Sequence, residues 1–206
     1  MFGIMFWRKM MNNENENNVN AEGVNEVIEE VTKKSVQREV LEWLLSILIA
    51  VLLAAVIKQF IFTVVKVEGP SMQPTLSNND RLIIWRLAYK PDNGDIIVLQ
   101  KDGYPPYIKR VIATEGQTVD IDFSTHKVYV DNNELYEDYI LEPTVLSGDV
   151  AFPVTVPEDC VFVLGDNRNN SRDSRFSSVG MVEKDEVIGK AILRFFPFNT
   201  FSTLKR

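Results

Sequence analysis

The longest apolar run in the chain is uncharged from residue 43 to residue 57, and only Ser46 interrupts its hydrophobic character. A helix over these 15 residues would be apolar on every face, which suits lipid better than the half-exposed surface of a soluble protein. A bilayer needs roughly 20 apolar residues, and the run reaches that length at Val65 if Lys58 extends its amine to the interface. We therefore predict a transmembrane helix over residues 39–65, with a buried helix of a soluble domain as the alternative.

The residues before this helix are predicted to form a cytoplasmic tail, residues 1–38. Residues 11–22 are rich in Asn and Glu and nearly free of large apolar side chains, which indicates disorder. Because the apolar run starts about 40 residues into the chain and no small-residue cleavage site follows it, we expect an uncleaved anchor. A small excess of basic residues before the run favours a cytoplasmic N-terminus: Lys33, Lys34 and Arg38, against Lys58 and Lys66.

After residue 65 the pattern changes to short runs rich in β-branched and aromatic residues, divided by turn pairs such as Asn93-Gly94 and Glu115-Gly116. This spacing predicts a mainly β domain of antiparallel sheets or a barrel over residues 66–206. The expected strands are residues 81–85, 95–99, 107–113, 127–130, 160–164 and 187–196.

Charge and composition exclude several classes of function. The net charge of −7 and the pI near 4.9 provide no basic field for nucleic acid, so we predict no nucleic-acid partner. One cysteine and one histidine cannot form an internal disulfide or a four-ligand zinc site. Cys160 lies in an apolar run and is expected in the core. His126 lies in a polar stretch between two expected strands, so we place it in a hairpin turn rather than in a catalytic triad.

The first stretch that could carry chemistry follows the apolar run and reads Gly69-Pro70-Ser71-Met72-Gln-Pro. A Gly-Pro step before a serine and a second proline shortly after it restrict the backbone to a tight, irregular loop. Such a loop can direct a hydroxyl and backbone N–H groups toward one point, as a nucleophile with an oxyanion hole requires. An ordinary surface turn is the alternative.

The second stretch is the expected strand around Lys109 and Arg110. Alternation places Lys109 with Val111 on one face and Arg110 on the other. A lysine directed at an apolar interior has a lowered pKa and can accept a serine proton. A lysine on a solvated strand face is the alternative.

The third stretch, residues 165–175, is a dense polar segment that follows an apolar strand. It offers Ser171 as a hydrogen-bond partner for a lysine amine, and Asp173 with Arg175 as an ion pair that braces the loop. A solvated loop is the alternative.

Together with Gly94-Asp95-Ile-Ile-Val, these stretches resemble the signature boxes of type I signal peptidases, in the family's order and after an anchor. The resemblance covers nearly all of residues 41–197. It implies a β-rich catalytic region on the outer face of the membrane, without metal or cofactor, that cleaves secretory preproteins after small residues. The preprotein would bind as an extended strand at a sheet edge.

The resemblance also implies a role for each candidate residue. Ser71 would be the nucleophile and Lys109 the general base. Ser171 would orient the Lys109 amine, Asp173 and Arg175 would brace the site, and Arg110 would be structural. Gly69, Pro70 and Met72 would shape the loop and the oxyanion hole. We expect a monomer, and we expect the apolar clusters at 151–154 and 195–198 to contact the bilayer.

One position departs from the Gram-negative members of the family, which carry a serine where this chain has Gly69. Either backbone N–H groups, including that of Ser71, supply the oxyanion hole, or turnover is slower. The Gly-Pro-Ser sequence, the short chain and the single anchor resemble the Gram-positive branch of the family. Two other functions remain open: a self-cleaving regulator with a Ser-Lys pair, and a catalytically idle scaffold anchored in the membrane.

Overall fold

The computed structural model describes residues 33, 36, 38–57, 60–101 and 103–204. The chain divides into two units, Met1–Ala55 and Val56–Arg206. The predicted cytoplasmic tail therefore lies almost entirely outside the described residues. Helix α1, Arg38–Ile57, has 20 residues and is long and apolar enough to cross a membrane by length and composition. Its large apolar side chains are exposed along its length, as expected for a helix that is apolar all round.

The rest of the described chain is mainly β. Its strands are β1 Phe62–Lys66, β2 Arg81–Trp85, β3 Ile96–Leu99, β4 Tyr107–Thr114, β5 Thr118–Asp122, β6 Lys127–Val130, β7 Asn133–Glu134, β8 Val154–Thr155, β9 Cys160–Leu164, β10 Val182–Glu183, β11 Val187–Phe196 and β12 Ser202–Thr203. Short 3-10 turns occupy Arg168–Asn170, Lys184–Glu186 and Phe198–Thr200. All six predicted strands are confirmed within a residue at either end.

The strands form two antiparallel sheets. The larger has the order β1-β2-β11-β3-β4-β9-β10, and β12 pairs with the far end of β11. The smaller has the order β7-β6-β5-β8. Hairpins join β5 to β6 and β6 to β7, whereas β11 returns late in the chain to lie between β2 and β3. The predicted mainly β, antiparallel fold is therefore confirmed.

Three apolar clusters stabilise the sheets. One lies between the smaller sheet and β4 with β9, and contains Val119, Val128 and Phe162. A second packs β2 and β3 against two residues of the loop after β1, Met72 and Leu76. The third covers the opposite face of β3, β4 and β9. Because β4 contributes to all three clusters, its residues from 108 to 113 are buried on both faces.

The structure corrects one predicted boundary and one predicted surface. The predicted anchor helix includes residues 62–65, but these residues belong to β1, where Val64 and Val65 pair with Ile83 and Leu82. Apolar β-branched residues suit lipid and sheet equally, so hydropathy alone does not separate them. Phe152, expected at the bilayer, packs edge-on against Phe162 and extends the core cluster under the smaller sheet.

The remaining local predictions agree with the structure. Cys160 is 9% exposed and belongs to the core. His126 lies in the turn between β5 and β6, with a φ of 62°.

Candidate active site

The loop after β1 is anchored on the core on either side of Ser71. Its base closes through hydrogen bonds from Val67 N to Asp80 O at 2.8 Å and from Asn79 N to Val67 O at 2.9 Å. Met72 inserts into the core with 1% of its surface exposed, and its carbonyl accepts the Leu76 N–H at 2.8 Å. Ser71 itself remains half-buried at the surface of this anchored turn. Met72 thus holds the loop through packing.

Lys109 meets Ser71 across the site. Its Nζ lies 2.9 Å from Ser71 Oγ and 3.0 Å from Ile108 O, and only 2% of the residue is exposed. Burial lowers the pKa of the Lys109 amine from 10.5 to about 8, partly opposed by the nearby carboxylates of Asp173 and Asp166. Arg175 lowers the pKa further. The alternative of a solvated lysine is therefore wrong.

The neighbouring residue Arg110 connects all three predicted stretches. Its Nε and Nη2 donate to the two carboxylate oxygens of Asp166 at 2.8 and 2.7 Å, and its Nη1 donates to Gly94 O at 2.9 Å. Asp166 also accepts a short hydrogen bond from Thr75 Oγ1 in the Ser71 loop. Arg110 and Asp166 are nearly inaccessible to solvent, so this bidentate pair is a rigid connection between the loops.

Asp173 and Arg175 form the predicted ion pair inside the 165–175 loop. Both side chains are fully buried, with Arg175 Nε 2.8 Å from Asp173 Oδ1. Asp173 Oδ2 also accepts the Gly165 N–H at 3.0 Å, and Arg175 donates to the carbonyls of Leu146 and Arg168. The pair fixes both the start and the end of the loop.

Ser171 is placed differently from the expectation. Its Oγ is buried and has no hydrogen-bond partner among the described residues, so the expected bond to the Lys109 amine is not formed. Gly165 packs against both serines: a Cβ added at Gly165 would lie 2.2 Å from Ser171 Oγ and 2.5 Å from the Ser71 carbonyl oxygen. Ser171 therefore packs beside the nucleophile loop, while Ser71 Oγ and Ile108 O contact the amine.

Asp166, Asn167 and Gly165 have positions in the site that the sequence analysis did not assign individually. Asn167 holds the Ser71 loop by two bonds, from its N to Ser71 O at 3.0 Å and from its Nδ2 to Pro70 O at 3.2 Å. The signal that the sequence offers for these three residues is their position, because they directly follow the fully buried strand β9. The groups that Asp166 and Asn167 contact are about 60 to 100 residues away in sequence, which local patterns do not reveal.

Gly69 has a backbone conformation that explains the residue type. Its φ is 84°, in the left-handed region that side chains rarely adopt, and its N–H donates to Asn78 Oδ1 at 3.1 Å. The N–H of Ser71 has no acceptor among the residues that the structure describes. Of the two, the Ser71 N–H is the one available to a ligand.

A groove of about 270 Å³ runs beside Ser71 and Lys109. Two segments line it, residues 65–68 at the end of β1 and residues 105–109 at the start of β4. β1 is the end strand of its sheet, and β4 pairs with β9 only from Arg110 onward, so both segments have an open edge. An extended peptide can form main-chain hydrogen bonds to open strand edges of this kind.

A serine hydroxyl against a buried amine of lowered pKa, beside a peptide-sized groove, defines the class of serine hydrolases that use lysine in place of histidine. The family model "Signal peptidase, peptidase S26" matches residues 40–196. The chain belongs to this signal peptidase family.

Two relatives of known sequence agree with the family model. The chain is 40% identical over 161 residues to a "Probable signal peptidase I-1" of Synechocystis, covering 72% of this chain and 79% of that protein. It is 37% identical over 162 residues to "Signal peptidase I P" of Bacillus subtilis subsp. natto, covering 73% and 85%. A crystal structure of a signal peptidase I from Enterococcus faecalis V583 matches 50% of this chain and 97% of that one, with 31% identity and a TM-score of 0.43.

Proposed function

We propose that this protein is a membrane-bound endopeptidase that removes N-terminal signal peptides from exported preproteins, with Ser71 as nucleophile and Lys109 as general base. The observation that carries the proposal is the 2.9 Å contact between Ser71 Oγ and the buried Lys109 Nζ. Family membership supports the substrate class. The buried Lys109 amine argues against an idle scaffold, because burying an amine against a serine hydroxyl opposes folding and benefits only a site that uses the amine as a base.

The reaction begins when neutral Lys109 accepts the Ser71 proton while Ser71 Oγ attacks the carbonyl carbon of the scissile bond. The negative charge on the carbonyl oxygen is stabilised by the Ser71 N–H. The tetrahedral intermediate collapses, the C–N bond breaks, and protonated Lys109 gives its proton to the leaving amine, which becomes the new N-terminus. An ester between Ser71 and the signal peptide remains.

Hydrolysis of that ester repeats the sequence with water. Lys109 accepts a proton from the water while the water oxygen attacks the ester carbonyl, and it returns that proton to Ser71 Oγ when the ester bond breaks. The signal peptide leaves as a carboxylic acid, which loses its proton to solvent. The pKa of about 8 favours this double role, because the amine can release and accept protons near neutral pH.

The groove supports an extended substrate. A preprotein segment that adds between the open edges would direct alternate side chains toward Val67 and Met72, which are buried. A shallow apolar lining of this kind accepts small side chains. Lys66 and Glu68 are exposed and would flank the outward-facing substrate residues.

The localisation proposed here has the tail in the cytoplasm, α1 in the bilayer and the β domain outside the cytoplasm, as a monomer. The lipid bilayer is also a proposed partner of the β domain through an aromatic cluster of exposed rings, Phe196, Phe198 and Phe201. Proteinase added to intact cells should remove the β domain if this orientation is correct, and should leave it intact if the orientation is reversed.

The catalytic assignment is tested by a processing assay with a secretory precursor. Ser71→Ala and Lys109→Ala should each abolish cleavage, because one removes the attacking oxygen and the other its proton acceptor. Lys127→Ala is the matched control, since Lys127 is an exposed lysine paired with Glu134 and should process normally. Cleavage at the wild-type rate by either active-site variant would refute the assignment.

A further inference from the structure

The segment that follows β7 crosses the 165–175 loop, and we call residues 135–144 the strap. Burial alternates along its first residues: Glu137 and Tyr139 are partly buried, whereas Tyr136 and Asp138 are exposed. A loop that turns a carboxylate inward loses hydration of that charge, which is unfavourable unless a partner replaces the water. The inward residues of the strap therefore require partners in the body of the domain.

Glu137 finds its partner in Arg168. The two side chains form an ion pair with 7% and 0% of their surfaces exposed. Arg168 also donates to Thr144 Oγ1 at 3.0 Å and to Gly165 O at 3.1 Å. Glu137 and Thr144, toward the two ends of the strap, thus both hold Arg168. Arg168 in turn binds Gly165, which packs against the carbonyl oxygen of Ser71.

Tyr139 contacts Arg110, another buried arginine of the site. The Arg110 guanidinium carbon lies 3.9 Å from the centre of the Tyr139 ring, and the Tyr139 hydroxyl donates to Glu137 Oε1 at 3.2 Å. Burial raises the pKa of Tyr139, so the phenol stays neutral. The ring quadrupole attracts an arginine on an aromatic face, and the attraction is stronger when the contact is shielded from water. The Tyr139 ring therefore covers one face of the Arg110 guanidinium, while the N–H edge of the same group pairs with Asp166.

We propose that Tyr139 is a positioning residue of the peptidase, whose ring holds Arg110 in register with Asp166 and keeps water from this pair. The proposal rests on the proposed role of Lys109 as base. Tyr139 lies near Arg110, Arg168, Glu137 and Asp166, and so acts on Lys109 through them.

Replacing the Tyr139 ring should raise the pKa of the Lys109 amine. Among the described residues, the charged groups that act on the Lys109 amine are Asp166, Asp173 and Arg175, and the titratable Tyr107 has its ring 5.6 Å from Nζ. Without the Tyr139 ring, water reaches the pair, the carboxylate of Asp166 is less well neutralised, and the amine is less desolvated. Both effects stabilise the protonated amine. The pH at which kcat is half-maximal should rise by about half a unit, and kcat below that pH should fall about threefold.

The test measures kcat for precursor cleavage from about pH 6 to about pH 10 with the full chain in detergent or vesicles. Tyr139→Leu should shift the half-maximal pH upward. Tyr139→Phe keeps the ring and should retain the wild-type profile. Tyr136→Leu is the matched control, because Tyr136 is 84% exposed on the same strap.

A purely structural role for Tyr139 would lower the amount of folded enzyme and leave the half-maximal pH unchanged, because that pH does not depend on enzyme concentration. An unshifted profile in Tyr139→Leu, or an equal shift in Tyr139→Phe, overturns the proposal. Failure of the proposed function has a different signature: the wild type itself would show no rise in kcat with pH, or Lys109→Ala would remain active.

Discussion

Replacing Gly165 with alanine should misplace the nucleophile while the domain stays folded. A Cβ at this position would lie 2.2 Å from Ser171 Oγ, 2.5 Å from Ser171 Cβ and 2.5 Å from the Ser71 carbonyl oxygen. Non-bonded heavy atoms settle at about 3.5 Å, so the neighbouring loops must separate by about 1 Å. Because the main chain at Ser71 is directly in the way, side-chain rotation at Ser171 alone does not remove the clash.

The consequence for catalysis follows from the contacts of Ser71. Its carbonyl oxygen accepts the Asn167 N–H at 3.0 Å, and its Oγ lies 2.9 Å from Lys109 Nζ. A shift of about 1 Å lengthens both contacts beyond hydrogen-bonding range and should lower kcat/KM about 100-fold. Overpacking of this kind typically costs about 1–3 kcal/mol of stability, which a folded domain of this size tolerates.

The assay is steady-state cleavage of a secretory precursor, with thermal unfolding of the same samples. Gly116→Ala is the control: its φ of 81° makes a side chain unfavourable, but no atom lies within 4 Å of the added Cβ. The control should lose about 1 kcal/mol of stability and keep its kcat/KM. A folded Gly165→Ala variant with kcat/KM within about threefold of the wild type would refute the steric reasoning, because a 1 Å displacement predicts far more.

Two further predictions concern the buried amine and the aromatic cluster. Lys109→Met should be inactive, yet its free energy of unfolding at pH 7 should exceed that of the wild type by roughly 1 kcal/mol. Lowering the amine pKa from 10.5 to about 8 opposes folding of the wild type by about 3 kcal/mol, and the two hydrogen bonds of Nζ stabilise it by about 1 kcal/mol each. The unfolded chain binds the proton more tightly, so wild-type stability should rise by about 3 kcal/mol between about pH 8 and pH 10.5. In urea unfolding the advantage of Lys109→Met should therefore disappear and then reverse, and a difference that does not change with pH contradicts this. Phe198→Asp should slow cleavage of a precursor in vesicles but not of a soluble peptide, because Phe198 is 78% exposed and belongs to the aromatic cluster. Tyr136→Asp, at an 84% exposed position outside the cluster, is the control. Equal effects of Phe198→Asp on both substrates, or the same slowing by Tyr136→Asp, would count against bilayer contact.

The fold was predictable wherever a local pattern was unambiguous. β2, β6, β9 and β11 have the bounds that alternation and turn residues predict. β1 was not predictable, because Phe62–Lys66 continues an apolar run and only its pairing with β2 identifies it as a strand. The short strands β7, β8, β10 and β12 have two residues each, too few for any periodicity to be detected.

At the candidate site, the sequence by itself determined which residue types were present and in what order: a serine between two prolines, a lysine in an apolar strand, and a polar loop after another strand. Those patterns suffice for the family and for the candidate pair, Ser71 and Lys109. They suffice because backbone restriction and alternation act between neighbours in the chain.

Only the tertiary structure decided which partners meet. It assigned the bracing of the nucleophile loop to Asp166 and Asn167, placed Ser171 against Gly165 without a bond to the amine, and brought Tyr139 onto Arg110. Apart from the contact between Ser171 and Gly165, which lies within one loop, these contacts join segments that are distant in sequence and that only the folded sheets bring together. The lowered pKa of Lys109 has the same origin, since desolvation depends on what covers the amine from every side and not on its neighbours in sequence.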